Sequence, residues 1–332
     1  MNILHNLVSV LLSRVSKKVA MLISGRSFLF VMVFIIFAGC DSLSRVAGPT
    51  AVQVHTGTQG LEANFVANTP PLQLFEQTPF NLLLEVSNKG ANDLENVAFS
   101  ISTNPQLVLL RNPDEQRVIQ LAGRSRINPN GEKIILNIKA QTQKVSGTSG
   151  VSVPISTSFC YQYQTKASPF ICVDTDPTNQ RQLKKSCDAQ EVSLGNGQGG
   201  PVSVTRVIPS LYLSDLGDRV NLRIKIFIAN QGNGEIIDTS QIENYCAGHP
   251  SKDVFNRVSI RAQFQDQVLQ CNKEILTLKR ENEDENYIEC ELPQGINVRL
   301  APFLTPVSII LEYGYTFTVS RTMTILPREM FI

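Results

Sequence analysis

Cysteine and histidine are the residues of this 332-residue chain best equipped for chemistry, and there are seven of the first and three of the second. A cysteine can act as a nucleophile, a metal ligand, a lipid acceptor or half of a disulfide, and spacing decides among these roles. Cys160, Cys172, Cys187, Cys246, Cys271 and Cys290 are even in number and contain no CxxC pair. A structural zinc site needs four closely spaced ligands, so no metal is expected and three disulfides are. The favoured pairs are Cys271–Cys290, flanking a hairpin with the acidic tip Glu281–Glu285, and Cys172–Cys187. Cys160–Cys246 follows by elimination and would tie the two halves of the chain together.

The remaining candidates read as scaffold. A Ser/His/Asp or Cys/His set needs a histidine in a pocket. His55 lies in a polar stretch and His249 beside Pro250, both in loops, and neither GxSxG nor HExxH occurs. No catalysis and no cofactor are expected. Asp174-Thr175-Asp176 spaces two carboxylates as calcium loops do, but the glycine and final Glu of such a loop are missing. A turn before Pro177 is the default reading, with a surface calcium as the alternative. Gly195–Gly200 is followed by neither a helix nor a Lys-Ser/Thr pair, so it reads as a linker rather than a phosphate loop. Phe159, Tyr161 and Tyr163 share one face of a strand, because side chains alternate. Tyr161 and Tyr163 pack in a core or, if exposed, stack on a sugar ring.

The elements that position these residues begin with a leader. Arg14, Lys17, Lys18 and Arg26, with no acidic residue, precede Phe28–Gly39, a run of apolar and small residues that ends at Cys40. That is the layout of a secretory leader, expected over residues 1–39, with Met21 as an alternative start. Phe37-Ala38-Gly39-Cys40 resembles the lipobox of prokaryotic lipoproteins, with Phe37 where Leu is usual. The resemblance implies lipidation of Cys40, anchoring to the membrane and an extracytoplasmic address. An uncleaved anchor would have to hold Arg26 in the bilayer, at a cost of about 3 kcal/mol; simple secretion is the third option. Without the leader, four of the 30 basic residues and none of the 29 acidic ones are lost, leaving about −3. That charge offers no footprint for nucleic acid. Residues 40–60 are polar and turn-rich, a flexible tether.

From Leu61 onward, short runs rich in Val, Ile, Leu, Phe and Thr alternate with Gly, Asn, Pro and Asp clusters, the signature of an all-β sandwich chain. Two segments match. Pro79–Val86 runs into Ser87-Asn88-Lys89-Gly90, and Asn221–Ile228 runs into Ala229-Asn230-Gln231-Gly232. Each is a strand closed by Asn-x-Gly, residues that tolerate positive φ in turns. Earlier strands at Glu62–Ala67 and Val202–Ile208 repeat the pattern upstream. Two tandem domains are expected, at 61–194 and 202–332, with 195–201 as a Gly-rich hinge. Ser152–Tyr163 and Phe170–Val173, joined through Lys166–Pro169, are expected to form a hairpin with a cysteine on each arm.

Strand, Asn-x-Gly and return strand together are similar to the immunoglobulin-like CARDB-like or S-layer-associated modules of prokaryotic, including archaeal, cell-surface proteins. The resemblance implies two Ig-like β-sandwiches. It also implies a structural or interaction role among surface or envelope proteins: surface-layer association, adhesion or envelope assembly. The chain has no Trp, so the Cys…Trp…Cys core of antibody domains is absent. The alternative function is a non-catalytic polysaccharide-binding module of an extracellular enzyme system, using Tyr161 and Tyr163.

Overall fold

The two longest alternating runs in the sequence, Val151–Ala167 and Phe303–Leu326, are single strands of 17 and 24 residues. They pair antiparallel without a break from Val151 opposite Ile325 to Ala167 opposite Ile309. Strands of five or six residues are usual, so this ladder is the axis of the molecule. The structure is a computed structural model that describes residues 54–111, 118–147, 149–181, 184–249, 255–280 and 283–328. The leader, Cys40 and most of the expected tether lie outside the described residues.

The first half contributes β1 (Leu61–Phe65), β2 (Gln73–Phe75), β3 (Pro79–Asn88), β4 (Leu94–Ser102), β5 (Val108–Arg111), β6 (Val118–Leu121), β7 (Lys133–Thr142), β8 (Val151–Ala167) and β9 (Phe170–Val173). The second begins with β10 (Val192–Ser193), β11 (Val202–Leu213), β12 (Arg219–Asn230) and β13 (Glu235–Ile237). A five-residue helix, α1 (Ile242–Cys246), follows. Then come β14 (Arg257–Phe264), β15 (Gln267–Val268), β16 (Gln270–Cys271), β17 (Ile275–Thr277), β18 (Tyr287–Glu291), β19 (Ile296–Asn297) and β20 (Phe303–Leu326). The all-β expectation holds. Among the described residues no helix is long and apolar enough to cross a membrane.

Three sheets form two sandwiches that share a wall. One outer sheet has the order β1-β3-β7-β5, and the other β10-β11-β12-β18-β16. Both pack side by side on one face of a common sheet, β15-β14-β20-β8-β4-β6. Leu82, Ala140 and Val108 of the first outer sheet pack on Val153, Ile155, Met323 and Ile325 of the shared one. A larger core is continuous from Leu61 and Leu84 through Tyr161 and Tyr313 to Ile224, Ile260 and Ile309. Because β8 and β20 each line both sandwiches, no strand ladder or core ends between the halves.

Four expectations change at this level. Gly195–Pro201 is no flexible hinge. Gln198 is buried, its side chain gripping Val204 N at 2.9 Å and Val204 O at 3.1 Å. Gly57 N donates to Asn196 O and Gly199 N donates to Gly57 O, both at 2.7 Å. The end of the expected tether, residues 54–60, is thus packed against that segment. The expected hairpin at Lys166–Pro169 is a straight continuation. β9 pairs with β20 in the register β8 set, Phe170 opposite Pro306, and Val307 N donates to Pro169 O at 2.9 Å across the interruption. Proline removes a ladder donor there but does not turn the chain. Finally, Cys271 does face Cys290 across β16 and β18, yet β17 leaves that sheet to pair with β14. The segment between the two cysteines therefore crosses between layers instead of forming a simple hairpin.

The disulfides are Cys160–Cys246, Cys172–Cys187 and Cys271–Cys290; the last two are the pairs the spacing favoured and the first is the one left by elimination. The first holds α1 on the outer face of the shared sheet and closes a span of 86 residues. Replacing both Cys160 and Cys246 by Ala should lower stability by about 2–4 kcal/mol, read as a lower urea midpoint.

Candidate functional site

Tyr161 and Tyr163, the sequence-level candidates for ligand contact, lie in the core, 1% and 2% exposed. Across the β8–β20 ladder they face Tyr315 and Tyr313, respectively. The four rings form a closed square with centroid separations of 5.9–6.3 Å. Cross-strand and same-strand neighbours on one sheet face meet at these distances. Tyr313 and Tyr315 were missed in the sequence, although Tyr-x-Tyr occurs in both long strands and could have flagged them. An aromatic strip open to a sugar is therefore absent at this position.

Each hydroxyl of the square has a partner, and the partners repeat. Leu61 N donates to Tyr161 Oη at 3.2 Å, and Val202 N to Tyr313 Oη at 3.1 Å. Asn92 N donates to Tyr163 Oη at 3.2 Å, and Gly234 N to Tyr315 Oη at 2.8 Å. The Asn-x-Gly turns match as well. Asn88 Oδ1 accepts from Gly90 N at 3.0 Å, and Asn230 Oδ1 from Gly232 N at 3.2 Å. Asn88 Nδ2 donates to Asn92 O and Asn230 Nδ2 to Gly234 O, both at 2.9 Å. The repeated motif is a repeated hydrogen-bond network, with the halves related by a local twofold between Gln162 and Gly314.

The reason for glycine in that motif differs from the expected one. None of Asn88, Gly90, Asn230 and Gly232 has positive φ. A Cβ on Gly90 would fall 2.0 Å from Tyr163 Oη, and one on Gly232 2.3 Å from Tyr315 Oη. Close approach of the phenol, not backbone freedom, excludes a side chain.

The acidic candidates are internally neutralised. Asp174 and Asp176 are buried. Asp174 pairs with Lys185, and Asp176 Oδ2 accepts from Arg181 N at 2.9 Å. Both cations sit in the loop that Cys172–Cys187 closes. Of the acidic tip, Asp284 pairs with Arg206 at 2.7 Å and Glu285 with Lys279; residues 281 and 282 lie outside the described residues. His55 and His249 are exposed. Among the described residues no group of three or more His, Cys, Asp and Glu is placed to hold a metal.

An opening of about 560 Å³ lies along the open side of the first sandwich. Its walls are Leu61–Asn64 of β1 and Thr316–Val319 of β20, with Tyr161 and Tyr315 behind and Gln231–Glu235 at one end. Two strand edges face it, and Glu62, Glu235 and Tyr245 also line it.

No family model matches the chain, and no curated protein matches it. Among solved structures, native E. coli alpha-2-macroglobulin is similar over 36% of this chain at 13% identity and a TM-score of 0.23; the chain spans 8% of that protein. The C-terminal domain of the Streptococcus pyogenes antigen I/II-family protein AspA is similar over 81% of this chain and all of its own length, at 6% identity and TM-score 0.14. A non-toxic Bacillus thuringiensis crystal protein is similar over 81% of this chain and 85% of its own, at 10% identity and TM-score 0.11. Likeness this slight carries no argument about function.

Two tests follow from the tyrosine square. Gly90→Ala should destabilise by roughly 2 kcal/mol or more through overpacking, whereas Gly195→Ala, where a Cβ meets nothing within 4 Å, should be neutral; thermal unfolding of the two variants compares them. Burial holds the phenols of Tyr161 and Tyr313 well above the ordinary tyrosine range and raises those of Tyr163 and Tyr315. The folded form thus keeps protons that the unfolded chain releases above about pH 10, so this stabilisation is complete below that pH and is lost as pH rises. Urea midpoints should fall above about pH 10, with phenolate absorbance from these rings appearing together with unfolding.

Proposed function

We propose that this chain is an extracytoplasmic lipoprotein, anchored through Cys40, whose β-sandwich body serves a structural or interaction role in the cell envelope. The observation that carries the reading is the cysteine count. All six cysteines after the leader are paired with one another, and the seventh, Cys40, follows Ala38-Gly39 at the end of an acid-free leader. Disulfides of this number fit an oxidising compartment. Stable anchoring takes more than one acyl chain, which a lipidated N-terminal cysteine would supply. Within that reading, the duplicated Asn-x-Gly network supports kinship with CARDB-like or S-layer-associated modules, and surface-layer association, adhesion or envelope assembly is the role we assign, without catalysis. The polysaccharide-binding alternative depended on exposed rings at Tyr161 and Tyr163 and is not pursued.

Mass spectrometry of the mature N-terminus tests the anchor. The expected result is a chain beginning at an acylated Cys40; an intact peptide running through Phe37–Asp41 would overturn it.

A further inference from the structure

The two sandwiches differ at one matched place. In the second, β10 lies outside β11, Val192 opposite Val207, and Leu194 N donates to Thr205 O at 2.7 Å. Val192 and Leu194 pack on the core from there. The ladders equate β1 with β11: Phe65 faces Leu84 and Val207 faces Ile226, which hold the same place in the repeated strand. Among the described residues no strand lies outside β1, and the opening of about 560 Å³ runs along it.

Both strands that line this opening carry main-chain groups without a strand partner among the described residues. Gly60 O accepts from Lys89 N at 2.8 Å, and Val66 N donates to Leu83 O at 2.9 Å. That alternation turns the N–H and C=O groups of Ala63 and Phe65 away from β3. On β20, Thr324 N donates to Leu72 O at 2.8 Å and Leu326 O accepts from Glu76 N at 2.9 Å, so even-numbered residues point away from β8. β13 takes Thr316 and β2 begins at Thr324, which leaves Thr318 and Ser320 between them. Arg321 Nη1 donates to Thr69 O at 3.1 Å and to Val66 O at 3.3 Å, tying the two sides together beyond that stretch. The inward side chains beside both edges, Ala63, Phe65, Phe317 and Val319, are apolar and pack on the core. Exposed edges of this kind invite strand addition.

The size of the opening and its twin together indicate what fits. A sheet edge from a second copy would bring its neighbouring strand with it, and the opening has only the volume of a small-ligand site. A lone extended segment needs no more room than that. β10 is such a segment, two residues in the ladder with apolar side chains at alternate positions.

We propose that the opening is a docking site for an extended peptide segment of a partner protein, added antiparallel to the outer edge of β1 as β10 is to β11. Hydrogen bonds to the main chain of Ala63 and Phe65 supply affinity for any extended segment. Selectivity comes from apolar side chains at every second position, turned onto Phe317 and Val319. The docking rests on the sandwich geometry and is independent of how Cys40 is processed.

Short random peptides displayed on phage and selected against the full chain, held in detergent, test this together with hydrogen exchange resolved to single amides. Enriched sequences should carry apolar residues two apart. A synthetic copy of one should slow exchange at Ala63 and Phe65 by about tenfold or more and leave Leu82 and Leu84, in the buried part of β3, unchanged. Ala63→Pro removes one outward donor at an edge position, where proline is tolerated, and should weaken that peptide about tenfold. Leu82 and Leu84 report whether the variant is folded, and if it is not, the exchange map of the native chain decides alone. Selection without an alternating pattern, peptides that protect other amides, or undiminished binding to folded A63P would each overturn the proposal. So would Ala63 and Phe65 amides already slow before peptide is added, since that marks an edge covered by this chain or by a second copy.

Discussion

Four phenol hydroxyls buried at the centre of a shared sheet impose a demand that the surrounding chain must meet. A buried hydroxyl without a partner costs about 1–3 kcal/mol. The partners are backbone N–H groups at the start of β1, at the start of β11 and in the two Asn-x-Gly turns. Shifting either edge strand or either turn would take a hydrogen bond from a hydroxyl in the core. The square therefore sets where both outer sheets begin and removes the freedom to bend between the halves. Glycine at the turns and at Gly200 follows from the same crowding, because Gly200 as well as Gly90 and Gly232 lies against these rings.

The periphery is secured by other means. Cys160–Cys246 holds α1 on the shared sheet, and Cys172–Cys187 closes a loop whose two buried aspartates are met by Lys185 and Arg181. Removing one partner of such a buried pair is costly, because it leaves an uncompensated charge. The loop continues into β10, so one covalent link both encloses the ion pairs and delivers the strand that covers β11. This arrangement resists local opening at the edge where the second sandwich would otherwise be accessible.

Much of the scaffold was legible from residue type. Period-two alternation located most strands, since a half-buried strand must alternate to keep one face dry. The Asn-x-Gly repeat revealed the duplication, and cysteine spacing indicated two of the three pairs, leaving Cys160–Cys246 by elimination. What misled was local composition read without neighbours. Ser168-Pro169 has turn chemistry, yet β20 offers a continuous ladder on both sides of it and holds the chain straight. Gly195–Pro201 has linker chemistry, yet Gly197, Gly199 and Gly200 are crowded by the Gly57 segment, Ala91 and the tyrosines.

By itself the sequence determined an all-β chain and its duplicated strand-and-turn unit, and it favoured two of the three disulfides, because these depend on patterns carried within one segment or on matching types. Only the tertiary structure decided that the two units share one sheet, that the Tyr161 and Tyr163 rings are core rather than surface, and that one edge strand is covered while its twin borders a groove. Those outcomes depend on pairing between β8 and β20, whose partnered residues stand between 142 and 174 positions apart. No local pattern specifies which face of such a ladder is buried until a second sheet is packed on each end of it.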